Sequence, residues 1–86
     1  MAVEDENQQR VGANIKAARE ALDWSQEAAA AEAGMHPTAL SMIETGARAP
    51  KLDTLIRLAF ALSVEPGTFF SGVKRPEGAR PRHGAD

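Results

Sequence analysis

Thr38, Ser41, Met42 and Thr45 are spaced by three, one and three residues, which sets all four on one face of a helix. Leu40 and Ile43, three apart, fall on the opposite face as an apolar pair to be buried. The outward face is small and mostly polar. Its hydroxyls can each make a hydrogen bond, and its thioether can pack against an apolar group. A face of this kind is shaped to approach another surface closely.

Other chemistries lack their parts. The chain contains no cysteine, and its histidines are His36 and His83, with no second histidine or cysteine at metal-ligand spacing. Glu20, Glu27 and Glu32 read as solvated helix charges, with no nucleophile or phosphate-cradling glycine loop beside them. Neither an enzyme, a metal site nor a cofactor is expected. Eighty-six residues leave room for one small domain, with the apolar share of ordinary globular proteins. No apolar run approaches the roughly 18 residues of a membrane span, and the opening Met1-Ala2-Val3-Glu4-Asp5-Glu6 is no signal peptide. A cytoplasmic protein away from membranes is the expectation.

The elements that must position the face are helices. Val11, Ile15, Ala18 and Leu22 recur at four, three and four residues and form one helical stripe. Ser25 is a good N-cap for a short alanine-rich helix over about 26–33, which Gly34 ends. A third helix runs over about 37–45, with Pro37 at its first position and Gly46 after its last. A turn-rich loop over 46–51 follows. Leu52, Leu55, Leu58, Ala59 and Leu62 then mark a fourth amphipathic helix, and 66–70 a fifth of barely more than one turn. No strand-like alternation occurs, so the class is all-α. Residues 1–8 read as a flexible acidic arm, 9–72 as the domain, and 73–86 as a disordered basic tail.

Two short helices joined by about three residues containing glycine are the pattern of a helix-turn-helix, whose second helix enters the major groove of DNA. Ala30 supplies the small residue where the helices cross, Gly34 the turn, and Leu40 with Ile43 the buried pair. The flanking residues add to this pattern. Ser25-Gln26-Glu27 through Gly34, then Ile43-Glu44-Thr45-Gly46, Pro50 and Leu52-Asp53-Thr54-Leu55, resemble the phage repressor/Cro-type (Xre-like) family over about residues 9–72.

The resemblance implies a five-helix DNA-binding domain, usually a homodimer on a two-fold symmetric operator. It implies base-facing roles for Pro37, Thr38, Ser41 and Met42. It implies phosphate contacts from Gln26, which opens the second helix, and from Arg48 and Lys51 in the loop after the third. It also implies a structural ion pair between Arg19 and Glu44, setting the third helix against the first. Well-known members place glutamine, arginine, lysine or asparagine at the base-facing positions. Here neither an Arg–guanine nor a Gln–adenine bidentate pair is available. Arg57 reads as a surface charge. Trp24, between the first two helices, is expected to pack over the alanine-rich one, and Phe69 and Phe70 to close the core or form a dimer patch.

Charge pulls mildly the other way. Residues 1–8 carry −3, residues 9–72 carry six basic against seven acidic side chains, and residues 73–86 carry +2, which sums to −2. DNA binders usually show a basic excess. The expected function is a sequence-specific, DNA-binding transcriptional regulator with double-stranded DNA as partner. The alternative is an antitoxin or protein-interaction adaptor on the same fold, with a toxin or regulator as partner.

Overall fold

The structure, a computed structural model, describes residues 2–80. Four α-helices, α1 (Val3–Ala21), α2 (Gln26–Ala33), α3 (Pro37–Thr45) and α4 (Leu52–Ala61), are followed by a one-turn 3-10 helix, Pro66–Phe70. The all-α expectation holds among the described residues, but the fifth helix is not an α-helix. Pro66 has no N–H to donate and Ser71 is already extended, so five residues close only the tighter turn, with Thr68 N–H bonded to Glu65 O at 2.9 Å.

Helix α1 begins at Val3, so residues 3–8 are its first turns rather than a free arm. Glu4, Asp5 and Glu6 occupy the first turn, where carboxylates favour the exposed N–H groups and the positive end of the helix dipole. The same three charges that suggest a solvated arm thus suit a helix start. Ser25 caps α2 as expected, its hydroxyl accepting the Ala28 N–H at 3.0 Å, and Gly34 ends the helix at φ 69°.

Val11 and Ile15 of α1, Ala29, Ala30 and Ala33 of α2, Leu40 and Ile43 of α3, and Leu58, Ala59, Leu62 and Phe69 make one core. The alanines of α2 let α3 and α4 both lie against it, while α1 packs on α3 and on the 3-10 turn. Trp24 is half-buried against this core. Phe69 is fully buried and Phe70 half-exposed. Two residues expected inward are not: Leu22 is exposed where α1 unwinds, and Leu52 is exposed in the first turn of α4.

Gly12 lies where α1 crosses the end of α3. A Cβ there would drive into the Ile43 carbonyl and crowd that of Glu44, so only glycine allows the helices this close. The chain beyond the 3-10 turn is tied back along α1. Asn14 Nδ2 donates to Phe69 O (3.0 Å) and Ser71 O (2.8 Å). Two turns earlier Asn7 donates to Lys74 O (2.8 Å) and accepts the Lys74 N–H (2.7 Å). Val73 and Lys74, assigned from sequence to a disordered tail, are therefore strapped to the domain, because a side-chain amide can pair with backbone as a peptide does. Residues 81–86 of that tail lie outside the described residues. No described helix is long and apolar enough to cross a membrane.

Candidate nucleic-acid interface

Helix α3 buries Leu40, Ile43 and Glu44 and turns its other side outward. Pro37, Thr38 and Thr45 are exposed, while Ser41 and Met42 are only half-open. The Thr45 hydroxyl donates to Met42 O at 3.1 Å, so its proton is committed within the helix. The expected face is present, with its open polar groups concentrated toward the start of α3.

The loop that follows is fixed to the helix end. Gly46 takes φ 83°, and the N–H groups of Ala47 and Arg48 both donate to Met42 O, at 2.9 and 3.2 Å. Gln8 Nε2 from α1 donates to Gly46 O at 2.8 Å. A Cβ at Gly46 would collide with Gln9, so the left-handed turn and the close approach both call for glycine. Arg48 therefore leaves the end of α3 from a tethered backbone, with its side chain in solvent. Lys51 is exposed at the N-cap of α4, three residues further on.

One carboxylate joins the remaining parts. Glu44 Oε2 accepts Arg19 Nε at 2.7 Å, and Glu44 Oε1 accepts Arg19 Nη2 at 2.9 Å, a side-by-side fork out of solvent. Arg19 Nη1 donates to Trp24 O at 2.7 Å, and Gln26 Nε2 donates to Glu44 Oε1 at 2.9 Å. This cluster ties α1, the α1–α2 connection, the start of α2 and the end of α3 together. Hydrogen bonding to Glu44 holds the Arg19 guanidinium above its ordinary pKa, outweighing burial, which acts in the other direction. The pairing expected from sequence is present, and it includes Gln26 as well.

Gln26 keeps one of its two amide hydrogens after bonding Glu44. It sits at the first position of α2, where the earliest backbone N–H groups have no partner within the helix. An outside anion could accept from both. Arg57 pairs with Asp53 one turn earlier on α4 and approaches Gly34, consistent with a surface role.

Sequence reasoning missed Gly12 and Gln8, neither of which touches the outward face. A glycine inside an otherwise helical pattern was the available signal, since it costs helix stability and implies a close neighbour. Nothing in the sequence pointed to Gln8 as a bond to the loop.

The family model HTH_3, described as helix-turn-helix, matches residues 15–69. Uncharacterized HTH-type transcriptional regulators of Mycobacterium bovis and Mycobacterium tuberculosis are 38% identical over 63 residues, covering 73% of this chain and 25% of theirs. The chain thus matches about a quarter of the length of those relatives. Among solved structures, the restriction-modification controller protein C.AhdI of Aeromonas hydrophila superimposes with a TM-score of 0.74 at 29% identity, over 76% of this chain and 98% of that one. The P22 c2 repressor in complex with a synthetic operator gives a TM-score of 0.68 at 30% identity, over 74% and 97% respectively.

Proposed function

Since the chain belongs to the helix-turn-helix family HTH_3, we propose that it is a DNA-binding transcriptional regulator, acting as a homodimer on a two-fold symmetric operator. The family is one of DNA-binding regulators rather than of enzymes. One observation carries the reading: an uncharged face of small polar residues on α3, with a cationic loop bonded to one end through Met42 O and the open start of α2 joined to the same end through Glu44. The P22 c2 repressor bound to its synthetic operator supports it by likeness.

In this reading α3 lies in the major groove. Thr38 and Ser41 each make single hydrogen bonds to base edges, Pro37 and Met42 offer apolar contact, and Met42 can meet a thymine methyl. Phosphates are held by Arg48, Lys51, the free amide hydrogen of Gln26 and the first N–H groups of α2. Without bidentate readers, discrimination leans on the shape and bendability of the duplex.

The test is a titration against random and operator-selected duplex at two salt concentrations. A regulator that neutralises phosphates loses affinity steeply with salt, with a slope of about 0.9 per phosphate contacted. The second reading, an antitoxin that binds both DNA and a toxin or an adaptor that has lost base readout, is favoured by the net charge of −2 and by the absence of arginine, lysine, asparagine and glutamine at positions 37, 38, 41 and 42. The adaptor calls for weak duplex binding with no selected sequence and no steep salt dependence.

A further inference from the structure

Helix α4 carries a row of large apolar side chains that nothing in the described chain covers. Leu52 is 73% exposed, Ile56 41% and Phe60 79%, and their spacing of four places them along one side of the helix. The other side, through Leu58 and Ala59, is buried against α2 and the 3-10 turn. Single apolar residues on a surface need no explanation, but a contiguous row marks an interaction site.

We infer that this row pairs with α4 of a second copy of the chain, antiparallel, about a two-fold axis beside Ile56. The inference rests on the homodimer reading above and names its surface. Two features favour a second copy over any other occupant. The row is symmetric in position about Ile56, so turning one helix end for end sets Leu52 on Phe60 of the second copy, Ile56 on Ile56, and Phe60 on Leu52. The charges beside the row are also self-complementary. Asp53 and Arg57, bonded at 2.7 Å, stand on the same flank. In an antiparallel two-fold pair like flanks meet, so Asp53 of each copy comes alongside Arg57 of the other, offset by about 3 Å along the axis at 1.5 Å rise per residue. A parallel pair puts the charged flanks on opposite sides and loses this crossing.

One helix face covers less than the roughly 800 Å² per partner of a standard interface. Association is therefore weak in free solution and is strengthened when DNA holds two copies side by side.

Because the chain has no cysteine, introduced thiols report the geometry cleanly. Under mild oxidation of the concentrated full chain, Ile56→Cys forms a disulfide-linked dimer. Leu52→Cys alone does not, since its two copies stand about 12 Å apart along the axis and a disulfide needs Cα atoms within about 7 Å. Leu52→Cys combined with Phe60→Cys links again. In sedimentation of the cysteine-free chain, Asp53→Lys weakens self-association severalfold, and adding Arg57→Asp restores it. Melting curves check that each variant is folded. Failure of Ile56→Cys to link, or linking of Leu52→Cys as readily as Ile56→Cys, overturns the antiparallel pairing. These readouts need no DNA. A chain that links at position 56 but binds no duplex defeats the regulator reading alone, and one that binds duplex but never links there defeats only this inference.

Discussion

Arg19 and Glu44, 25 residues apart, meet through two parallel hydrogen bonds of 2.7 and 2.9 Å that are closed off from solvent. The same carboxylate also holds the Gln26 amide. The angle of α3 and the orientation of a proposed phosphate-binding side chain thus depend on one buried anion. Any loss at Glu44 should be felt first in stability and then in DNA binding.

Removing one partner strands a buried charge, whereas removing both does not. Arg19→Met and Glu44→Leu are each expected to cost about 3–5 kcal/mol in urea unfolding, and the double variant markedly less than their sum. Because Glu44 raises the guanidinium pKa, the arginine's contribution is fully present at neutral pH and is lost only as pH rises into the strongly alkaline range. Additive single and double costs would show that the two side chains do not act as a pair.

Gly12→Ala should reverse the usual rule for helices. In an open helix this change stabilises by about 0.5–1 kcal/mol. Here the new Cβ meets the Ile43 backbone, which has no rotamer to move away in. Thermal melts are expected to show a loss large enough to threaten so small a fold, while Gly67→Ala, with nothing within 4 Å, stays near wild type. A stabilised Gly12→Ala would mean that α1 and α3 do not cross at this point.

Much of this architecture was legible in the residues. Ser25, Gly34, Pro37 and Gly46 act locally as caps and stops, and local rules found them. The Leu40 and Ile43 pair followed from period alone. Three features did not follow, each for a physical reason. The 66–70 turn is too short for propensity to separate α from 3-10 bonding. The acidic start of α1 has the composition of a solvated arm, yet also the charges a helix N-terminus favours. Asn7 and Asn14 bond backbone some 55 to 67 residues away, a partnership that only tertiary structure creates. At the site, the resemblance supplied Arg19 with Glu44, but not Gln26 as the third member.

The strap over α1 yields a local prediction. Asn7→Ala removes the acceptor of the Lys74 N–H and the donor to its carbonyl. A typical hydrogen bond contributes about 0.5–1.5 kcal/mol, less when exposed. Global stability should therefore fall by about 1 kcal/mol or less, while hydrogen exchange at the Lys74 amide accelerates several-fold. Unchanged exchange there would indicate that the segment is held by something other than Asn7.

The inner and outer sides of α3 should separate in stability. Leu40→Ala empties a fully buried site and is expected to cost about 2–5 kcal/mol. Thr38→Ala, on the exposed side, should change the melting temperature little. The reverse order would mean that the helix faces the other way.

The central claim, that the α3 face reads DNA while the tethered loop grips its backbone, is tested most directly by one binding series. Arg48→Ala, Lys51→Ala, Thr38→Ala, Ser41→Ala and Met42→Ala are each titrated against a selected operator and its single-base variants at several salt concentrations. The two loop variants should bind every duplex more weakly and lower the salt slope by about one each, because phosphates carry no base identity. The three helix variants should shift base preference by about 1 kcal/mol or less while keeping the salt slope, since single hydrogen bonds and methyl contacts discriminate less than bidentate pairs. Loss of sequence preference in Arg48→Ala, with none in the three helix variants, would contradict the account and assign base reading to the loop.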